Sequence, residues 1–177
     1  STLDRMNQDI QNPERGAHIM VYMDQIEVRL KETKPRNVLF IRRMMSTKDY
    51  AVCLAELYQT IQREKLTVTG APMTVYHIEE SFDPDCYDNE IAIPVQEAAQ
   101  GTRIMPGGPC AVVRLEGPYT ELTSVYAKLQ QWTEQEGYVK DAEAYEVYLT
   151  DPNTTAADKN ITEVCVPVKK MQAEDAK

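Results

Sequence analysis

The sequence of 177 residues lacks the uninterrupted apolar run of about 20 residues that a membrane-spanning helix requires. It also lacks a basic excess, because 19 Lys and Arg stand against 28 Asp and Glu, which gives a net charge of −9. A surface with this charge repels a phosphate backbone, so we expect no direct contact with nucleic acid from this chain. Residues 1–11 are polar and charged, so we expect no signal peptide at this end. These absences favour a cytoplasmic protein that does not enter a membrane.

The sequence also has little that would bind a metal ion or a phosphate group. Its four cysteines form no CxxC pair and it has two histidines, so reduced, buried thiols are expected instead of a zinc site. The acidic stretch at 83–90 lacks the glycine and terminal glutamate of an EF-hand loop, which favours a solvated loop. Gly-rich phosphate loops and the GxSxG and HExxH motifs are missing too. We therefore expect neither a metal nor a cofactor.

An internal repeat is the most informative feature that is present. Residues 90–95 (EIAIPV) and 163–168 (EVCVPV) share one pattern at a separation of 73 residues, and the Val-Tyr pairs at 75–76 and 147–148 match at 72. Each repeat predicts a short buried strand, an amphipathic helix, a second strand, a loop rich in Asp, Pro and Asn, and a last strand that ends at a proline. In the first half these elements are predicted at 38–41, 48–65, 73–78, 83–89 and 90–95. In the second half they are predicted at 111–113, 120–136, 145–149, 151–160 and 163–168.

The repeat predicts an α+β fold made of two strand–helix–strand–strand units, at about 36–96 and 109–170. One helix over three strands leaves one face of each small sheet uncovered. The two units can cover each other's open faces or leave a groove between them, and a groove at such a pseudo-symmetric junction is a natural ligand site.

The segment at 1–35 is predicted to be a separate helical unit. The sequence Asn-Pro-Glu at 12–14 is typical of a helix start, and apolar residues at 19, 23, 26 and 30 then form a stripe that ends at 33–35. A helix over 13–32 is too short to establish a coiled coil, so a homodimer contact and packing on its own domain both remain open. The tail at 171–177 is predicted to be disordered.

Glu146 is the residue in the sequence that most suggests a binding site. In a strand over 145–149, Glu146 and Tyr148 share one face while apolar residues occupy the other. If the apolar face packs on the helix, Glu146 and Tyr148 face the open side. The matching position in the first half is Thr74, which stands beside Tyr76.

A carboxylate among tyrosine rings is costly to desolvate, and a bound organic cation would offset that cost and add cation–π attraction. The tyrosine content suits this interpretation, because ten of the aromatic residues are Tyr, against two Phe and one Trp. The alternative is an exposed Glu146, or one that is paired with a nearby lysine.

Three stretches of the second half, at 131–138, 145–152 and 162–168, resemble the GyrI-like effector-binding domain. They read as a helix with a tryptophan, a Gly-aromatic end, a Glu-apolar-Tyr strand, an Asp-Pro turn and a final strand ending in Pro-Val. The Gly-Pro-Tyr at 117–119 and the duplicated plan extend the resemblance over about 36–170. It implies a groove that binds small, often apolar and cationic molecules, with Glu146 as the central acidic contact and Tyr148 and Tyr76 as aromatic walls. Trp132 and Tyr119 are implied either as further lining or as packing residues.

The resemblance implies several settings for the domain. It follows a DNA-binding head and a dimerisation helix in MerR-type multidrug-responsive regulators, follows helix-turn-helix units in AraC-type regulators, and also occurs alone. The predicted helix at 13–32 favours the MerR-type setting, in which this chain is a fragment of a regulator or a free-standing sensor.

The leading expectation is therefore a sensor domain, without catalysis, that binds a small apolar or aromatic cation. One alternative is a hydrolase of strained, cyclopropane-bearing toxins, in which Glu146 acts as general base with Tyr148 or Tyr119. The other is a protein-binding module of the gyrase-inhibitor kind.

Overall fold

The computed structural model describes residues 23–77, 83 and 85–172 of the chain. The first half contains β1 (Arg29–Thr33), β2 (Arg36–Met45), α1 (Tyr50–Glu64), β3 (Met73–Tyr76) and β4 (Tyr87–Pro94). The second half contains β5 (Thr102–Met105), β6 (Gly108–Glu116), α2 (Leu122–Glu136), β7 (Tyr138–Lys140), β8 (Tyr145–Tyr148) and β9 (Ile161–Lys170). Neither helix in this part of the chain is long and apolar enough to cross a membrane. The predicted α+β class is confirmed.

The sheet is antiparallel, and its strand order reflects the repeat. The order is β1-β6-β9-β8-β3-β4-β2-β5, with β7 paired to β9 off this path. Equivalent strands of the two halves occupy equivalent places on either side of the centre, where β3 pairs with β8 and Thr74 lies opposite Glu146. The predicted duplication is therefore confirmed, and a pseudo-two-fold axis passes through the β3–β8 pair.

Each repeat contains a leading strand that the sequence patterns did not predict. β1 precedes β2 but pairs with β6, and β5 precedes β6 but pairs with β2, so the two halves exchange their leading strands. The two connections cross closely at Gly107, where an added Cβ would lie 2.4 Å from the carbonyl oxygen of Thr33. The sequence patterns did not predict these strands because both are short and neither has the pattern of a buried strand. β1 in addition is mostly exposed.

The predicted helix over 13–32 extends too far, because Arg29–Thr33 is strand β1. Pairing of this backbone with β6 outweighs the helical spacing of the apolar residues, which is a weak signal over so few turns. Ile26 and Val28 pack against the core of the second half, and Met23 packs in a cluster with residues of α2. The described part of the segment thus packs on its own domain. Residues 13–22 of the predicted helix and 173–177 of the predicted disordered tail lie outside the described residues.

The predicted loop at 83–89 is also partly wrong, since β4 begins at Tyr87. Asp88 lies in this strand and accepts hydrogen bonds from the Arg42 guanidinium on β2, at 3.0 and 2.8 Å. The acidic stretch predicted a solvated carboxylate at Asp88, but in the structure Asp88 forms a charged pair with Arg42 across the two strands.

The sheet buries both of its faces. Its inner face holds a cluster that draws on both halves: Val38, Met73, Val75, Ala92, Met105, Cys110, Val112, Tyr145 and Cys165. Since β5 and β6 lie far apart in the strand order, the sheet must curl to bring them together. The outer face carries α1, which packs through Cys53, Leu57 and Ile61, and α2, which packs through Val125 and Leu129. The two halves therefore cover each other's open faces, and a groove remains on the outer face between the helices.

Candidate functional site

A cavity of about 900 Å³ lies between α1 and α2, above the central strands β3 and β8. Seven of the ten tyrosines line it: Tyr50, Tyr58, Tyr76, Tyr87, Tyr119, Tyr126 and Tyr148. The charged side chains among the described lining residues are Glu146 and Asp151, and both are acidic. The cavity is thus aromatic, rich in hydroxyl groups and lined by two acidic side chains.

The register of β8 places Glu146 at the centre of the cavity floor. Glu146 is flanked by Thr74 on β3 and by Val164 on β9. Tyr145 and Val147 belong to the inner cluster, so strand alternation directs Glu146 and Tyr148 toward the helices. The condition under which they would face the side without helices, that the apolar face of the strand packs on the helix, is therefore not met. Tyr145 and Val147 of β8 face the core that the curled sheet encloses. Glu146 and Tyr148 therefore face the gap between the two helices.

Glu146 is 4% exposed, and its hydrogen-bond partners are all hydroxyl groups. The Tyr126 hydroxyl donates to Oε2 at 2.5 Å, and the Tyr148 hydroxyl donates to Oε1 at 3.0 Å. Tyr76 is the third hydroxyl partner. Burial raises the pKa of Glu146 above its ordinary value, and the three hydroxyl groups offset this only in part.

Glu90 provides a comparison within the same protein, because it is the other buried carboxylate in the described part of the chain. It accepts hydrogen bonds from Arg103 at 2.8 and 2.9 Å and lies 2.8 Å from Nε2 of His77. Burial raises the pKa of Glu90, but the contacts with His77 and Arg103 outweigh it and leave the pKa below its ordinary value. Glu146 has no equivalent cation, since no Lys, Arg or His is found among the described residues that line the cavity.

The tyrosines around Glu146 form the walls of the cavity and remain hydrogen-bond donors. Burial, together with the negative charge of Glu146, raises the pKa of Tyr76, Tyr126 and Tyr148, so these phenols stay protonated at neutral pH. The Tyr148 hydroxyl also lies 2.9 Å from Oγ1 of Thr74.

Tyr119 extends this wall toward solvent. Its ring meets that of Tyr148 edge-on, with centroids 6.2 Å apart, and it is 38% exposed. Tyr50 and Tyr87 pair through their hydroxyls at 3.1 Å on the side of the first half.

The structure brings together four of the five residues that the sequence suggested for a site: Glu146, Tyr148, Tyr76 and Tyr119. Trp132 is not one of the lining residues. It stacks on Tyr138 with centroids 5.2 Å apart and packs in the core of the second half, which was the other reading left open for it.

Sequence reasoning missed Tyr126, which it counted only as part of the apolar stripe of α2. The repeat aligns Tyr126 with Leu54 in α1, 72 residues earlier, and the difference between a leucine and a tyrosine at this place is the signal that the sequence offered.

The profile of the GyrI-like small molecule binding domain matches residues 26–169. The chain belongs to the GyrI-like family.

No curated protein sequence matches it significantly. Among solved structures, the C-terminal domain of EcmrR has a TM-score of 0.74 at 23% identity, over 82% of this chain and 99% of that one. A cryo-EM structure of EcmrR in complex with DNA has a TM-score of 0.74 at 22% identity, over 96% of this chain and 72% of that one.

Two further solved structures are similar at lower identity. A hydrolase from Listeria innocua has a TM-score of 0.62 at 17% identity, over 81% of this chain and 92% of that one. SAV2435 bound to tetraphenylphosphonium has a TM-score of 0.51 at 15% identity, over 81% of this chain and 94% of that one. At these identities the similarities show a shared fold.

Proposed function

We propose that this GyrI-like domain is the sensor part of a bacterial MerR-type transcriptional regulator and binds an apolar or aromatic cation between α1 and α2. The observation that carries the proposal is Glu146, a carboxylate that is 4% exposed and has no cationic side chain among the described residues around the cavity. Burying such a group without a counter-charge is unfavourable, and a bound cation supplies the missing charge.

The shape of the cavity supports a ligand of drug size. Its volume of about 900 Å³ lies within the range of small-molecule sites. Tyr76, Tyr148 and Tyr119 offer aromatic faces, which attract a cation and cover apolar groups. The fold shared with SAV2435, which was solved with tetraphenylphosphonium, makes that lipophilic cation the natural first probe.

The regulator setting is supported by the match to EcmrR in its DNA complex, which extends over 96% of this chain. With a net charge of −9, this chain is a poor candidate for the DNA contact itself, so we place that contact outside it.

A route from the cavity toward the N-terminal segment starts at Tyr126. Its hydroxyl binds Glu146, and its ring packs in the same cluster as Met23. A ligand that displaces Tyr126 would therefore shift the packing of the segment that precedes the domain.

The test is a calorimetric titration of the protein with tetraphenylphosphonium, beside Glu146→Gln. We expect binding to weaken by tenfold or more in this variant, which corresponds to about 1.4 kcal/mol. Glu163→Gln is the matched control, because it removes one carboxylate from the adjacent strand at the position opposite Val147, on the other face of the sheet. Equal affinity of wild type and Glu146→Gln would exclude Glu146 as the charge partner, and no binding to the wild type would contradict the proposed ligand class.

A hydrolase is the second candidate, and the raised pKa of Glu146 is the observation that favours it. A buried carboxyl group whose pKa is raised, with phenol donors at 2.5 and 3.0 Å, is suited to general acid–base catalysis. Turnover of a strained cyclopropane substrate that stops in Glu146→Gln would favour the hydrolase over the sensor. The cavity itself favours a small-molecule ligand over the third alternative, a protein-binding inhibitor.

A further inference from the structure

The groups around Glu146 can form hydrogen bonds with its carboxyl group in either protonation state. Tyr126, Tyr148 and Tyr76 contact it through hydroxyls, and a hydroxyl both donates and accepts hydrogen bonds. An ionised Glu146 accepts from these groups, whereas a protonated Glu146 donates its own proton to one of their oxygens. The Arg103 guanidinium beside Glu90 has only donors, so it holds Glu90 in the ionised state.

The surroundings of Glu146 contain no positive charge in the described residues that face it. α2 contributes Tyr126, β3 contributes Tyr76, the adjacent position on β8 contributes Tyr148, and β9 contributes the apolar Val164. Farther away, α1 contributes Tyr50, the turn before α2 contributes Tyr119, and the loop after β8 contributes the acidic Asp151. Burial of the carboxylate is therefore compensated by neutral hydroxyls alone, and its raised pKa agrees with this geometry.

We propose that Glu146 carries a proton while the cavity is empty and releases it when a cation binds, so that the domain exchanges one proton for its ligand. The O–H bond of the Glu146 carboxyl group breaks, its proton passes to water at the mouth of the cavity, and the carboxylate that remains pairs with the cation. Glu146 thus never holds an uncompensated buried charge, which is the state that burial penalises most. The inference rests on the proposed function, since it concerns the same cation site.

Calorimetry in several buffers measures this exchange directly. Tetraphenylphosphonium has no titratable proton, so any proton released at pH 7 comes from the protein and is taken up by the buffer. We expect the observed binding enthalpy to change linearly with the ionisation enthalpy of the buffer, with a slope close to one proton per ligand. Glu146→Gln should abolish this slope, and Glu163→Gln should keep it. In the wild type, affinity should also fall about tenfold for each pH unit below the pKa of Glu146.

The outcomes separate this inference from the function on which it rests. Binding of the probe without any dependence on the buffer would overturn proton exchange and leave the cation site intact. If the probe does not bind, the proposed function fails, and infrared spectroscopy of the empty protein decides the protonation state by itself. The C=O stretch of a protonated carboxyl group at neutral pH, lost in Glu146→Gln, would support a resident proton, and its absence from the wild type would overturn it.

Discussion

At the scale of single residues, Glu90 and Glu146 are buried to nearly the same extent, at 1% and 4% exposure, but their pKa values shift in opposite directions. The difference lies in their partners, which are Arg103 and His77 for Glu90 and tyrosine hydroxyls for Glu146. A carboxyl group with a lowered pKa stabilises the folded state above its unfolded pKa of about 4.3, and that stability is lost as the pH falls through its folded pKa. A raised pKa has the reverse sign, so folding is penalised as the pH rises above about 4.3.

Replacing each of these two residues with glutamine should therefore change stability in opposite directions. Glu90→Gln leaves Arg103 without its carboxylate and should lower the free energy of unfolding at neutral pH by about 3 kcal/mol. Glu146→Gln removes a carboxylate that is unfavourable to bury, and should raise the melting temperature at neutral pH. Its advantage should shrink as the pH falls toward the unfolded pKa and disappear by about pH 3, where the wild-type group is protonated in both the folded and the unfolded state. Thermal melts of both variants across this pH range are the measurement, and a less stable Glu146→Gln at neutral pH would contradict the prediction.

At the scale of secondary-structure elements, the exchange of β1 and β5 joins the two halves at the ends of the sheet. β1 leaves the first half to pair with β6, and β5 leaves the second half to pair with β2. The β1–β2 and β5–β6 connections must then pass each other, which leaves no room for a side chain at Gly107. The exchange of leading strands therefore requires a close approach of two backbones at Gly107.

Gly107→Ala should consequently destabilise the protein. The added Cβ would lie 2.4 Å from the Thr33 carbonyl oxygen and 2.8 Å from the Lys34 carbonyl carbon, and backbone atoms cannot move aside as cheaply as a side chain. We expect a loss of about 1–3 kcal/mol, the usual cost of overpacking, in chemical denaturation. Gly70→Ala is the comparison, because its nearest neighbour is the side chain of Pro94 at 3.2 Å. If the two substitutions lower the free energy of unfolding equally, the close approach of the two connections at Gly107 does not limit stability.

At the scale of the whole molecule, the cavity lies on a pseudo-two-fold axis but is not symmetric. Thr74 and Glu146 face each other across the β3–β8 pair, and the helix positions above them are Leu54 on α1 and Tyr126 on α2. At these positions the second half therefore contributes the carboxylate and a hydroxyl that donates to it at 2.5 Å, while the first half contributes the Thr74 hydroxyl and an apolar side chain.

Moving the carboxylate across the axis tests this description. The double variant Thr74→Glu with Glu146→Thr should bind tetraphenylphosphonium more tightly than Glu146→Thr alone, because the relocated charge still faces the cavity. It should bind less tightly than the wild type, because Leu54 cannot donate a hydrogen bond. Adding Leu54→Tyr and Tyr126→Leu should recover part of the loss, with each affinity measured by calorimetry. If the double variant binds no better than Glu146→Thr, the two positions are not equivalent toward the ligand.

Much of this architecture could be predicted from the sequence, because it depends on local periodicity. The spacing of apolar residues predicted both helices, and the motif at 90–95 and 163–168 predicted the duplication. Strand alternation also placed Glu146 and Tyr148 together on one face of β8, where the structure has them. The helix predicted to extend to residue 32 and the loop predicted to extend to residue 89 were wrong, because in both cases pairing with a distant strand decided the conformation.

The sequence by itself determined which residues share a face within one helix or strand, since burial repeats every two residues in a strand and every three to four in a helix. Only the tertiary structure decided that the face of β8 with Tyr145 and Val147 is enclosed by the curled sheet. The face with Glu146 and Tyr148 then lies toward the gap between α1 and α2. It also decided that Tyr126, twenty residues away in sequence, donates to Glu146, and that Thr74 lies opposite it. Such contacts depend on how the two repeats pack against each other, and the periodicity of a single segment contains no information about its partner.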